Sequence, residues 1–197
     1  MLVLLANLLW ICGIHGSNIV YGIAAPMLYI LMDQNLQAFR TGKILPNIVS
    51  QNMFDIFVSV GGAGGTLGLA ILMAFKAKST HLKELGKLSF IPSLFNINEP
   101  IIFGTPIVMN PIMIIPFILN PLIAVSLAYF SMKIGIIGKL TGVSVPWTSP
   151  PFLGAFIASN GNIFTGILQL MIVSIQLIVW YPFFKLMDRK QINNEIY

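Results

Sequence analysis

Leu94-Phe95-Asn96-Ile97-Asn98-Glu99-Pro100-Ile101-Ile102-Phe103-Gly104 carries the one acid found between Glu84 and Asp188, set among apolar residues. An ionised carboxylate at the centre of a bilayer costs about 2.5 to 3.5 kcal/mol even on insertion scales, so Glu99 must face a cavity or a partner. The tract around it, Leu88 to Asn162, is hydrophobic yet punctuated by Pro92, Pro100, Pro106, Pro111, Pro116, Pro121, Pro146, Pro150 and Pro151. Each interior proline removes a backbone hydrogen bond and crowds the preceding turn. At membrane depth such chain survives only where protein or a water-filled cavity satisfies the freed groups. The tract therefore predicts broken helices and re-entrant hairpins around a polar cavity, the pattern of a transporter binding site, rather than continuous helices.

The whole chain agrees with a bilayer. Of 197 residues 56% are apolar and 9% charged, with a mean hydropathy of +0.87, against about a quarter charged in soluble domains. A soluble globular protein is excluded. The net charge of +5 sits in two short clusters without aromatic interleaving, which argues against nucleic acid. The single cysteine, Cys12, allows neither an internal disulfide nor a Cys-based metal site. Inside the apolar run Leu8 to Ile14 it reads as a small buried thiol. The residues call for no metal and no cofactor.

Met1 to Ile14 is too short to span and lacks the basic start of a signal peptide, so the chain reads as beginning part-way through a larger membrane unit. Ser17 to Leu31 stays apolar, and Asp33 to Asn52 is expected to leave the membrane. Phe54 to Phe75 is the clearest span; its pairs Gly61/Gly65 and Gly64/Gly68 predict close helix packing. A phosphate loop has no support, since no strand precedes the glycines and no Lys-Ser/Thr follows. Asp55 reads as a charge complementing a helix N-terminus. Lys76, Lys78, His81, Lys83, Glu84 and Lys87 form a charged, solvated loop, which the positive-inside rule places in the cytoplasm. Lys185, Arg189 and Lys190 follow a second span, Ile163 to Phe184, and belong on the same side. An even number of full crossings must separate the two clusters.

Further residues are candidates beside Glu99. The amides of Asn96 and Asn98 can donate to the carboxylate or to a ligand hydroxyl. His15, between Gly13 and Gly16, can donate or accept near neutral pH, or simply pack. Trp147, in Val145-Pro146-Trp147-Thr148-Ser149-Pro150-Pro151, cannot lie in a regular helix. It reads as an interfacial anchor or as a flat platform for a sugar ring, with Thr148 and the asparagines Asn160 and Asn162 as hydroxyl partners.

These residues resemble a known family. The Asn-Glu-Pro stretch at 98–100 is similar to the signature of membrane IIC permeases of sugar phosphotransferase systems, in the lactose, cellobiose and diacetylchitobiose branch. Trp10 to Gly16, Gly61 to Leu69, Asn110 to Phe117, Val145 to Pro151 and Tyr181 to Lys185 match in order. The resemblance implies an all-α integral membrane protein with transmembrane helices, broken helices and two re-entrant hairpins. It covers only the C-terminal transport half, residues 1–197, of permeases about twice as long; their N-terminal half supplies most dimer contacts and some sugar contacts. It further implies a homodimer of the complete permease in the bacterial plasma membrane, importing a β-linked disaccharide phosphorylated at its C6 hydroxyl. The donor is a phosphocysteine on the soluble subunit IIB, with IIA upstream. On this resemblance Glu99 and His15 sit by the reacting hydroxyl, Asn98 hydrogen-bonds the sugar and Trp147 packs on it. An ion-coupled transporter using Glu99 and His15, or an inactive fragment, are the alternatives.

Overall fold

Every regular element among the described residues, 1–105 and 107–196 of a computed structural model, is helical. Pro106, one of the prolines above, lies outside them. A short helix α1 (Leu2–Ile11) turns through Cys12 to Gly13 into α2 (Gly16–Arg40). Cys12 is the exposed C-cap of α1. The expected burial fails because the apolar run ends there in a turn. The polar stretch after Leu31 does not leave the helix at once, since α2 continues to Arg40 before a loop. Asn35 and Asn47 then fasten that loop: Asn35 Nδ2 donates to Asn47 O at 2.8 Å and to Leu140 O at 2.9 Å.

The glycine-rich span departs most from expectation. It is one turn of helix α3 (Gln51–Met53), a π-helical turn (Phe54–Val58), a break, and helix α4 (Leu67–Lys76), the two halves bent by 50°. Gly61, Gly62, Gly64 and Gly65 all have positive φ. Four such residues within five positions are affordable only for glycine. A Cβ on Gly64 would enter the Phe117 ring, and one on Gly62 the Asn98 amide. The glycines thus permit a break as well as close packing: Gly64 lies against Phe117, Gly65 against Gln176 and Asn120, and Gly68 against the backbone of Gln176 and Leu177.

Helix α5 (Thr80–Leu94) starts at Ser79, whose Oγ accepts from Leu82 N at 3.2 Å. It reverses at Asn96 into α6 (Glu99–Gly104), where Gly104 lies against Leu85, so the pair forms one hairpin. The charged segment is therefore mostly the first turns of α5. Helix α7 (Pro111–Lys133) runs for 23 residues, about 35 Å, across Pro116 and Pro121. That contradicts the expectation that prolines forbid continuous helix here. Membrane helices tolerate them when neighbours re-satisfy the backbone, and Asn110 and Pro111 give α7 a strong start, with Asn110 Oδ1 accepting from Ile112 N at 3.1 Å.

The second hairpin leaves at Thr141 and returns through α8 (Leu153–Ala158); Thr141 N and Oγ1 donate to Ala158 O at 3.0 and 2.9 Å, closing its neck. Helix α9 (Ile163–Ile196) is a second long span, extending past the expected Phe184. Its buried face (Leu168, Gln169, Ile172, Gln176, Trp180, Phe184) meets the core, while Phe164, Ile167, Met171 and Ile178 are exposed, as a bilayer allows. The ends of α9 and α5 are tied: Asp188 accepts from Lys78 N and Ser79 N at 3.0–3.1 Å, and Glu195 from Thr80 N and His81 N. Both basic clusters therefore share one end of the molecule.

Gly64→Ala should cost about 2 to 5 kcal/mol, from a left-handed backbone and an overpacked Phe117. Gly22→Ala, in mid-helix with nothing near its Cβ, should gain about 0.5 to 1 kcal/mol. Thermal unfolding in detergent measures both, and equal midpoints for the two variants would contradict the break.

Candidate functional site

The break at Ser59–Thr66 frees backbone groups in the interior, and side chains take them. Gly61 N donates to Asn96 Oδ1 at 2.8 Å. Asn98 Nδ2 donates to Ala63 O and to Thr66 Oγ1, both at 2.7 Å, and Thr66 Oγ1 donates to Gly61 O at 3.1 Å. From α9, Gln169 Nε2 donates to Ile56 O at 2.7 Å, Gln176 Nε2 to Val60 O at 3.2 Å and Trp180 Nε1 to Gly65 O at 3.0 Å. Spacings of seven and four residues put these three side chains on one face of α9. The other hairpin joins the same system: Asn96 Nδ2 donates to the carbonyls of Trp147 and Ser149, and Gln169 Oε1 accepts from Phe152 N at 2.8 Å. Asn96 and Phe152 hold positive φ at or near the hairpin turns, a conformation asparagine tolerates and phenylalanine does not without support.

Against this network lies a cavity of about 500 Å³. One wall is α2, through Asn18, Tyr21, Gly22, Ala25 and Tyr29, which recur at helical spacing; another is Gln51, Asp55 and Ser59, four residues apart. The hairpin turns contribute Asn96, Asn98, Glu99 and Trp147, and the α1–α2 turn contributes Trp10, His15 and Ser17. The structure thus brings together His15, Asn96, Asn98, Glu99 and Trp147. Thr148 does not line the cavity, nor do Asn160 and Asn162; Asn162 Oδ1 instead caps α9 through Phe164 N at 2.9 Å.

The amides do not serve Glu99 as expected. The Asn98 donor is committed to the break and the Asn96 donor to the carbonyls of Trp147 and Ser149. Glu99 is exposed into the cavity and hydrogen-bonds no described residue. His15 caps α2, its Nδ1 accepting from Asn18 N at 3.3 Å, and lies against Trp10 with ring centroids 4.2 Å apart. While Nδ1 accepts, the ring proton is on Nε2, which is left as a donor. The Trp147 indole is half exposed in a turn.

Asp55 sits in the first turn of the π-helical segment and also lines the cavity, with Gln51 Nε2 donating to its Oδ1 at 2.8 Å. The four-residue spacing of Gln51, Asp55 and Ser59 at the head of an apolar span was the available signal. Gln169 and Gln176, seven apart in an apolar helix, were the signal for the clamp.

The profile of the family described as "Phosphotransferase system, EIIC" matches residues 1–121. The chain belongs to this EIIC family. Its relatives include the lichenan permease IIC component of Bacillus subtilis, 46% identical over 188 residues, and the cellobiose-specific EIIC component of Geobacillus stearothermophilus, 45% identical over 195. These alignments cover 95% and 98% of this chain but 42% and 43% of the relatives. The crystal structure of the transporter ChbC, the IIC component of an N,N'-diacetylchitobiose-specific phosphotransferase system, superposes with a TM-score of 0.96 at 42% identity, over 98% of this chain and 45% of ChbC. The chain therefore spans somewhat less than half the length of these EIIC proteins, and it is a membrane protein with the EIIC fold.

Asn98→Leu keeps the approximate size but leaves Ala63 O and Thr66 Oγ1 short of a donor, a cost of about 1 to 3 kcal/mol per buried group. The thermal midpoint should fall by about 5 °C or more. Glu99→Gln should leave the midpoint within about 2 °C, since the carboxylate holds nothing inside the described fold. An unshifted midpoint in Asn98→Leu would remove the amide from the clamp.

Proposed function

We propose that residues 1–197 are the C-terminal, sugar-carrying half of a IIC permease. It imports a β-linked disaccharide and presents the C6 hydroxyl to a phosphocysteine of subunit IIB, itself charged from IIA. The observation carrying this reading is the meeting in one cavity of an unpartnered carboxylate, an imidazole with a spare N–H and a half-exposed indole. A volume of about 500 Å³ suits a small ligand, for which sites run from about 300 to 1,000 Å³. The relatives' names, which specify lichenan, cellobiose, lactose and diacetylchitobiose, favour β-linked sugars. Two relatives are named EIICB components, consistent with dependence on a IIB unit.

The chemistry follows from the free groups. The sugar's C6 oxygen attacks the phosphorus in line; an O–P bond forms, the S–P bond breaks and the thiolate leaves on IIB. The hydroxyl proton passes to the Glu99 carboxylate, whose lone pairs are uncommitted, and then to solvent. His15 Nε2–H donates to a sugar oxygen, and Trp147 offers the ring a flat apolar face. Such catalysis is mainly positioning, so the rigid clamp beneath Glu99 matters as much as the acid. The N-terminal half in this reading closes the open side of the cavity and forms the homodimer.

The end of the molecule where α5 begins and α9 finishes is assigned to the cytoplasm, on its density of lysine and arginine. Cysteines introduced at Lys83 and Arg189 should resist an impermeant thiol reagent on intact cells and react after lysis. Reaction of either from outside would reverse the assignment.

In the chain assembled with an N-terminal half, Glu99→Gln should bind sugar within about tenfold of wild type. Phosphorylation should fall about 100-fold or more, the scale of lost general-base help. His15→Ala should weaken both. Equilibrium sugar binding beside phosphoryl-transfer rate in one membrane preparation decides, and a wild-type rate in Glu99→Gln would reduce Glu99 to a structural residue.

A further inference from the structure

The cavity has a charge imbalance that the transfer step does not need. Two carboxylates, Asp55 and Glu99, line it, and no lysine or arginine does among the described residues. The glycine break looks like an anion cradle but is already occupied: Gly61 N donates to Asn96 Oδ1, Gly62 N to Ser59 O at 2.8 Å and Gly65 N to Gly62 O at 3.0 Å. The start of α2 faces the cavity and offers about half a positive charge, yet its Asn18 N–H is spent on His15. Half a charge is outweighed by two whole ones. Lys78 and Lys83 lie at the start of α5, roughly 17 to 22 Å along that 15-residue helix from the turn carrying Glu99, and Lys87, midway along it, does not line the cavity.

We infer that Asp55 and Glu99, facing one cavity that no lysine or arginine among the described residues lines, make this site selective for a neutral sugar and repel the sugar phosphate. The inference rests on the permease reading and extends it: Asp55 acts in product discrimination, separately from the proton transfer assigned to Glu99. A phosphomonoester carries about −1.5 to −2 charge near pH 7. Once the O–P bond has formed and the proton has passed from Glu99 to solvent, the ligand that fitted as a neutral disaccharide faces two like charges in a partly desolvated cavity, where they are poorly screened. Product then leaves without a dedicated release step and does not re-enter to compete with incoming sugar.

The test is equilibrium binding of cellobiose and of cellobiose 6′-phosphate, without IIB, to the chain assembled with an N-terminal half. Wild type should bind the phosphate at least about 100-fold more weakly than the sugar. Asp55→Asn should narrow that ratio about tenfold and Asp55→Glu should keep it. Glu99→Gln, which removes the other charge, should narrow it as Asp55→Asn does and serves as an independent arm if Asp55→Asn fails to fold. Equal binding of the two ligands by wild type, or an unchanged ratio in either neutralised variant, would overturn the inference while leaving the permease reading in place. Absence of binding to cellobiose, lactose and diacetylchitobiose alike would overturn both.

Discussion

Peptide groups released inside a membrane protein have no water to turn to, and the break between Ser59 and Thr66 releases several at once. An unsatisfied group there costs several kcal/mol, so the bent span exists only because other elements deliver donors and acceptors to it. Gln169, Gln176 and Trp180 on one face of α9 reach the carbonyls of Ile56, Val60 and Gly65. Asn96 and Asn98 complete the set from the other side. Helix α9 is consequently more than a span: its buried face is a polar ladder that fixes the broken element and, through Gln169 Oε1, the second hairpin.

This requirement also explains how the cavity gets its chemistry. Because Asn96 and Asn98 are committed to backbone, the residue between Asn98 and Pro100 is left with its carboxylate facing open space on a turn that cannot move freely. The proposed transfer relies on that combination of rigid support and lone pairs with no partner among the described residues. The same constraint fixes Trp147, whose carbonyl is held by Asn96 while its indole projects outward. Asp55 arrives by another route: it lies in the π-helical turn before the break and lines the cavity with Gln51 and Ser59.

Much of this was legible from the residues, and the gaps have physical causes. Density of proline, one isolated acid and two basic clusters sufficed for broken helices, a polar cavity and clusters that meet at one end. The Asn-Glu-Pro stretch and its companions pointed to the EIIC family. The glycine run misled because small-xxx-small spacing serves helix contacts and left-handed breaks alike, and only the partners of Gly62 and Gly64 tell them apart. Proline misled in α7, where continuity depends on neighbours that a linear reading does not supply. The donors of Asn96 and Asn98 are taken by groups some 35 to 53 residues away, which no local reading supplies. Thr148 was grouped with Trp147 by adjacency alone, and a turn sends adjacent side chains in different directions.

The central claim is that side-chain amides, not helix packing, hold the break closed. Hydrogen exchange at the Gly61 amide tests it most directly, since that N–H is held by the Asn96 side chain and by no backbone carbonyl among the described residues. In wild type the Gly61 amide should be protected nearly as well as that of Leu72 in α4. In Asn96→Ala its exchange should accelerate by about 100-fold or more, equivalent to about 2.7 kcal/mol, with Leu72 unchanged. Equal Gly61 protection in the two proteins would show that the break is held by something other than the amide clamp.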